Sequence, residues 1–409
     1  MVYNASNAID AYDIHTKCLC FTKIVSSVKT RTEPEIHQER TVVFNMKKGF
    51  SSAVICFLKT RLSILFLSFF LMLFVSCAET SQTTTFTTSN PNEEIISELD
   101  AILDDADDVN IYGISVYKND SLIAREFYNG ASENAKHNVF SVTKSITSLL
   151  VGIAIDKGYI ENVNQTIDEF IDLSIYQNSE LISTITIKQL LTMSAGLIWD
   201  SSNLSGEMDE LRTNPDPLGL ILNREIGYQP GTHFSYSDGA AHLVSIILAR
   251  VTEMSIHDFA KEYLFSPLEI QDTIWNTDQL LNNIGGCDLY LSHEDLYKIG
   301  KLVLGQGEYE GDRIVSQDWI SQSTSPQIQV DSVTDYGYYW WITSSSGSAL
   351  NYALGWGGQM VFIVPNENLI VITTANGFVS DNNAGAQASQ LYDIAFDQII
   401  PLMIGSYTN

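Results

Sequence analysis

What most constrains this chain is the placement of strand-like sequence near both ends of its larger part, with helical patterning between. VNIYGISVYK and SLIAREFYNG (109–118 and 121–130) carry branched and aromatic residues on either side of Asn119-Asp120, a turn pair suited to an antiparallel hairpin. Tyr336 to Thr343, Met360 to Val364 and Leu369 to Thr374 have the same character and read as later strands. Between them, residues 141–156, 187–194, 239–252 and 256–264 place apolar residues at helical spacing. Lys157-Gly158 closes the first of these helices, and Ser292-His293-Glu294-Asp295 reads as a capping box for a helix running to Leu304. EEIISELDAILDDA (93–106) and roughly Gln387 to Met403 add a helix at each end. This order predicts an α/β (α+β) fold: an antiparallel sheet built from both ends, flanked by N- and C-terminal helices, plus an inserted, mostly helical lobe. No internal repeat is visible.

Composition supports a large core and divides the chain. Hydrophobic residues make up 45% and charged ones only 17%, which excludes a chain disordered throughout. With 22 Lys and Arg against 49 Asp and Glu, the net charge of -27 repels phosphate backbones, so no nucleic-acid partner is expected. Up to Ser76 the chain holds nine basic and five acidic residues, which leaves a net of -31 on the rest. Lys47, Lys48, Lys59 and Arg61 precede the apolar run LSILFLSFFLMLFV (62–75) and then Ser76-Cys77, the order of a secretory signal peptide. The run is shorter than the ~20 residues a membrane span needs. Phe74-Val75-Ser76-Cys77 resembles the lipobox of bacterial lipoproteins, with Phe74 in place of the usual Leu, and implies lipidation of Cys77.

The expected organisation is therefore an over-extended start at 1–45, a lipoprotein signal peptide at 46–76, a Ser/Thr-rich tether at 77–92 and one domain at 93–405. The domain is expected outside the cytoplasm, lipid-anchored in a bacterial cell envelope. Cys18, Cys20 and Cys56 fall in the leader, so Cys287 is left without a partner for a disulfide or a cysteine metal site.

The sharpest local feature is Ser141-Val142-Thr143-Lys144, where strand-like sequence gives way to a strongly apolar helix. Residues three apart share a helix face, so Lys144 can reach the Ser141 hydroxyl, and the helix N-terminus favours negative charge on its oxygen. A lysine with its pKa lowered by burial and cationic neighbours could take the hydroxyl proton. The same residues also fit a serine cap followed by a solvated lysine. Tyr236 lies in a loop, Gln229 to Asp238, ahead of another helix; a phenol near a lysine can pass a proton to a leaving group, though a half-buried aromatic fits as well.

Other candidates are weaker. His137 and His233 flank these two segments, yet neither belongs to a G-x-S-x-G setting, and His242, His257 and His293 read as helix-surface or cap residues. No H-E-x-x-H occurs, so no metal is expected. Gly355, Gly357 and Gly358 lack the following Lys-Ser/Thr of a phosphate loop. Trp199, Tyr338, Trp340 and Trp341 suit either an apolar substrate pocket or the core, whereas the loop position of Trp356 favours the site.

Read in order, SVTK at 141, YSD at 236, ITIKQLLTMSAGLIWD, FSPLEIQDTIW, YGYYWWI and ALGWGGQMVFIVP are similar to the serine beta-lactamase and penicillin-binding-protein superfamily. The resemblance is to its class C-like branch of esterases and amide hydrolases, the 6-aminohexanoate-dimer hydrolase group most of all, and covers about Glu93 to Leu402. It implies a beta-lactamase-like fold without a cofactor. It also implies that Ser141 is the acylated nucleophile, Lys144 its proton acceptor, and Tyr236 the partner in proton transfer to the leaving group and from water. Registering Ala353-Leu354-Gly355 on the family's Lys-Thr-Gly makes the backbone N–H groups of Ser141 and Trp356 the oxyanion donors, with Asp238, Gly355 and Gly357 as substrate-binding candidates.

Two departures stand out. The third motif lacks the Lys and Thr or Ser that hold a substrate carboxylate, and the negative charge also disfavours anionic substrates. Asp238 replaces the common Asn; a carboxylate facing Lys144 would stabilise its ammonium form and weaken the base. The expected function is a metal-free serine hydrolase acting on a small-molecule ester or amide. The alternatives are a D-Ala-directed peptidase or beta-lactamase, and a non-catalytic surface binding lipoprotein. Specificity is expected to lie in the loops at 200–228 and 322–335.

Overall fold

Helix α1 (Pro91–Asp105) starts two residues before the expected boundary, with proline at its first position, where the missing N–H is no loss. The computed structural model describes residues 91–106, 110–177, 179–199 and 204–405; the expected leader, Cys77 and the tether up to residue 90 lie outside the described residues. Strands β1 (Ile111–Lys118) and β2 (Ser121–Phe127) form the expected hairpin. Asn119 and Asp120 both take positive φ, 51° and 61°, as the twist of a two-residue hairpin turn requires.

The inserted lobe opens with β3 (His137–Asn138) and α2 (Val142–Asp156), followed by α3 (Ile187–Leu191), α4 (Leu204–Thr213), α5 (Pro217–Leu222), α6 (Asp238–Thr252) and α7 (Ile256–Ala260). Strands β4 (Ile274–Trp275) and β5 (Leu289–Leu291) join β3 in a small sheet, in the order β3-β5-β4. The chain then runs through α8 (His293–Leu304), the hairpin β6 (Glu308–Tyr309) and β7 (Asp312–Arg313), and α9 (Gln317–Ser323). It returns to the main sheet as β8 (Ile328–Gln329), β9 (Asp335–Tyr336), β10 (Trp341–Ser345), β11 (Ser348–Gly355), β12 (Gln359–Val364) and β13 (Leu369–Ala375). Helix α10 (Asp381–Tyr392) continues through a π-type stretch, Asp393–Ile399, into α11 (Ile400–Gly405).

The main sheet has the order β2-β1-β13-β12-β11-β10-β9-β8, antiparallel at every pairing, so strands from the two ends of the domain meet at β1 and β13. Its centre is covered on both faces. Gly300 of α8 approaches Val361 and Ile370 on one side, while Tyr392 at the end of α10 meets the rings of Tyr352 and Phe362 on the other. That double cover explains why every residue of β12 and β13 is buried, where a one-sided sheet would alternate with polar residues.

Three expectations are corrected. Tyr336 to Thr343 is not one strand: Tyr339 adopts φ 62°, Gly337 N–H bonds to Trp340 O, and the chain turns between β9 and β10. The turn docks elsewhere, Tyr339 N–H bonding to Leu191 O and Ser145 Oγ donating to Tyr339 O. The helix expected to reach residue 194 stops at Leu191, because Met193 takes φ 55°. The last helix begins at Asp381, ahead of the expected Gln387.

Candidate active site

Ser141 lies between the small sheet and α2. Asn138 ends β3 and its Oδ1 accepts the Phe140 N–H at 2.8 Å; Phe140 itself is forced to φ 45°, which turns the chain sharply into the helix. Ser141 occupies the N-cap position but its side chain makes no capping hydrogen bond, so Oγ is left for other partners. The following helix is buried at every position from Val142 to Ala154, which takes Lys144 to 1% exposure.

The Lys144 ammonium uses all three of its donors. They reach Ser141 Oγ at 2.9 Å, Asp238 Oδ1 at 2.5 Å and Gly286 O at 2.9 Å. Burial alone would lower the Lys144 pKa, but the Asp238 carboxylate, aided by Tyr236, raises it well above the ordinary lysine value. The lowered lysine pKa expected from the sequence is therefore corrected, and the physical reason is the carboxylate at Asp238. Asp238 is itself 2% exposed as the first residue of α6, facing Lys144 and not an open substrate surface; its Oδ2 has no hydrogen-bond partner among the described residues.

Tyr236 is brought in by its loop, where Ser235 N–H bonds to Met193 O at 2.7 Å and Ser237 caps α6 through Ala240 N–H. Its ring stacks on Trp341, and Lys144 Nζ lies 4.7 Å from the ring centroid. The hydroxyl is close enough to Lys144 and Ser141 for both to lower its pKa; burial raises it more, so it is a neutral phenol at rest. The structure thus brings Ser141, Lys144, Tyr236 and Asp238 into one contact network.

The end of β11 closes the other side. A Cβ on Gly355 would lie 2.4 Å from Val139 O, so a side chain there would push the strand away from the segment carrying Ser141. Trp356 follows in the turn to β12, and among the described residues no hydrogen bond takes the backbone N–H of Ser141 or of Trp356. Gly357 takes φ 75° and its carbonyl accepts from Gln387 Nε2, which ties this turn to α10. Ala353 is buried, and neither Ala353 nor Leu354 offers a cation where the family's third motif carries one. Phe378, 69% exposed, packs on Phe140 and gives this rim an apolar edge.

Two histidine readings are corrected. His242 and His293 are not surface or cap residues but 0% and 1% exposed, because each finds partners far away in sequence. His242 Nε2 lies 3.0 Å from Asp278 Oδ2; His293 sits between Ser115 Oγ at 2.6 Å and Thr374 Oγ1 at 3.1 Å. His137 stacks on Tyr112, His233 bonds to Thr232 Oγ1, and His257 to Thr273 Oγ1. Trp199, Tyr338, Trp340 and Trp341 are all at most 4% exposed and belong to the core. Sequence reasoning missed Gly286, whose carbonyl holds Lys144 and whose absent Cβ would lie 2.9 Å from Asp238 Oδ1. The Gly285-Gly286 pair was the available signal.

Comparison with known proteins adds relatives to this geometry. The beta-lactamase family profile matches residues 99–395. The 6-aminohexanoate-dimer hydrolase of Paenarthrobacter ureafaciens is 21% identical over 309 residues, covering 68% of this chain and 76% of that protein. The octameric penicillin-binding protein homologue from Pyrococcus abyssi shares the fold at a TM-score of 0.60 and 17% identity, covering 74% of this chain and 76% of that one. A class C beta-lactamase does so at 0.59 and 14% identity, over 79% and 99% of the two chains.

Proposed function

Because the chain belongs to the beta-lactamase family, we propose that it is a serine hydrolase which opens an ester or amide bond through an acyl-enzyme on Ser141. The observation that carries this reading is the Lys144 Nζ to Ser141 Oγ contact at 2.9 Å, buried beneath Tyr236 at the start of α2. In the proposed sequence Ser141 Oγ attacks the carbonyl carbon as its proton leaves into the Lys144 and Tyr236 network. The carbonyl oxygen takes up the electron pair and is held by the N–H groups of Ser141 and Trp356; one such donor is worth roughly 3 kcal/mol in comparable sites. Tyr236 then protonates the leaving group and later takes a proton from the water that frees Ser141.

The missing third-motif cation supports a neutral ester or amide as substrate over a beta-lactam or a D-Ala terminus, and the apolar rim at Phe140 and Phe378 supports an uncharged group next to the scissile bond. Turnover of nitrocefin would restore the D-Ala-directed or beta-lactamase alternative. A fluorophosphonate probe is expected to label the purified protein and to miss Ser141→Ala; equal labelling of both would overturn the assignment.

A non-catalytic binding role has one observation in its favour. The Lys144–Asp238 pair holds the lysine as an ammonium, which has no lone pair to accept a proton. Absence of fluorophosphonate labelling on the native protein would support that role.

We also propose that the domain is exported and held to a bacterial membrane through lipid on Cys77. The order of basic residues, apolar run and Ser76-Cys77 supports this. Cys77→Ala is expected to move the protein from the membrane fraction to the soluble one, and unchanged fractionation would contradict the anchor.

A further inference from the structure

The Ser141 proton needs an acceptor when its oxygen is acylated. Each of the three Lys144 donors is engaged, by Ser141 Oγ, Asp238 Oδ1 and Gly286 O, so the ammonium has no site free to receive the Ser141 proton. A carbonyl such as Gly286 O cannot keep a proton. Lys144 of α2 contacts Asp238, and the other titratable groups whose ionisation feels its charge are Tyr236 of the loop before α6, Cys287 before β5, and Tyr336 and Tyr339 at β9 and its following turn. Burial pushes the Cys287 thiol and the three phenols upward, so all four are neutral and protonated and none is a base. The remaining base is the Asp238 carboxylate. Its Oδ1 touches Lys144, while its Oδ2 is buried with no hydrogen-bond partner among the described residues. A carboxylate kept only as a structural counter-ion would normally have both oxygens satisfied at such depth.

We infer that Asp238 is the terminal acceptor of the Ser141 proton, receiving it through Lys144 in a two-proton relay. This rests on the serine-hydrolase reading above. Nζ first passes the proton that faces Asp238 to Oδ1, which leaves a neutral amine with a lone pair. The amine turns about Cε–Nζ to bring that pair to Oγ; as Oγ bonds to the carbonyl carbon, the Oγ–H bond breaks and its proton goes to Nζ. The carbonyl π pair moves to the oxyanion. Lys144 is then an ammonium again beside the new negative charge, and Asp238 is a neutral acid. Reversing the relay returns the proton to Lys144 and, by way of Tyr236, to the leaving group. Asp238 never touches the substrate; it acts through Lys144.

Acylation can be followed as the p-nitrophenolate burst from p-nitrophenyl acetate, using the native protein and Asp238→Asn. The variant keeps the shape and a hydrogen-bond acceptor but cannot take the proton. Its burst at neutral pH is expected to be ~10²-fold slower or more. It is also expected to recover as pH rises, because Lys144 without its counter-ion loses a proton to solvent; the native burst shows no such recovery. A variant with the native rate, or a slower one whose pH profile keeps the native shape, would overturn the relay. The native protein gives an independent test should the variant fail to fold. Its burst rate in mixtures of light and heavy water is expected to curve with deuterium fraction, as two transferring protons require, and a straight line would overturn the relay. No burst from the native protein at any pH would instead remove the serine-hydrolase reading itself.

Discussion

A buried histidine with two hydroxyl partners is a different object from a histidine on a helix surface, and His293 shows how much. Burial lowers its pKa from 6.5 to about 3. Below 6.5 the unfolded chain binds a proton that the folded protein refuses, so the stability His293 contributes is present above 6.5 and is lost as pH falls toward about 3. The slope is about 1.4 kcal/mol per pH unit for one such group. Urea midpoints of the native protein are expected to fall through this window, and His293→Gln to show a shallower fall; identical slopes would contradict the assignment. At this scale the contact between Ser141 and Lys144 was legible in the sequence, because spacing along a helix is a local property, whereas the meeting of Tyr236 with them was implied only by the family resemblance. The direction of Asp238 and the partners of His242 and His293 were hidden. They depend on Lys144, Asp278 and Ser115, groups 94, 36 and 178 residues away.

Among the elements, the hairpin β1-β2, the long helices α2, α6 and α8, and the paired strands β12 and β13 could all be read from periodicity and caps. In two of the three places where the elements differ, a residue in a left-handed conformation overrode local preference: Tyr339 broke a strand rich in aromatic residues, and Met193 stopped a helix early. Neither residue type advertises such a turn, since both conformations are imposed by distant hydrogen bonds to Leu191, Ser145 and Ser235. The segment joining β4 to β5 carries a prediction of its own. A Cβ at Gly286 would press on Asp238 Oδ1 at 2.9 Å and on Lys144 Nζ at 3.2 Å. Gly286→Ala is therefore expected to slow the acylation burst sharply while costing only ~1–3 kcal/mol of stability. A burst at the native rate in the folded variant would show that the placement of the Lys144–Asp238 pair does not limit the reaction.

At the scale of the whole molecule, the net charge of -27 conceals a difference between a first 76 residues of net +4 and a remainder of net -31. The excess acts on association with substrate more than on the fold. Hydrolysis of a carboxylate-bearing ester is expected to be slow at low ionic strength and to speed up as salt shortens the ~10 Å screening length of ~0.1 M solutions, whereas a neutral ester of the same leaving group stays flat. Equal salt responses in kcat/KM would remove charge from the account of specificity. The fold itself brings β1 and β13 together from the two ends of the domain and seats the lobe's α2 against β11, which is how Ser141 comes to lie beside the Gly355–Trp356 turn. An acyl-enzyme on Ser141 is a covalent species, so mass spectrometry of the intact protein quenched during turnover of p-nitrophenyl acetate detects it directly. A single acetyl increment, mapped to the peptide containing Ser141 and absent from Ser141→Ala, is the predicted result; turnover without an adduct, or an adduct on another residue, would contradict it.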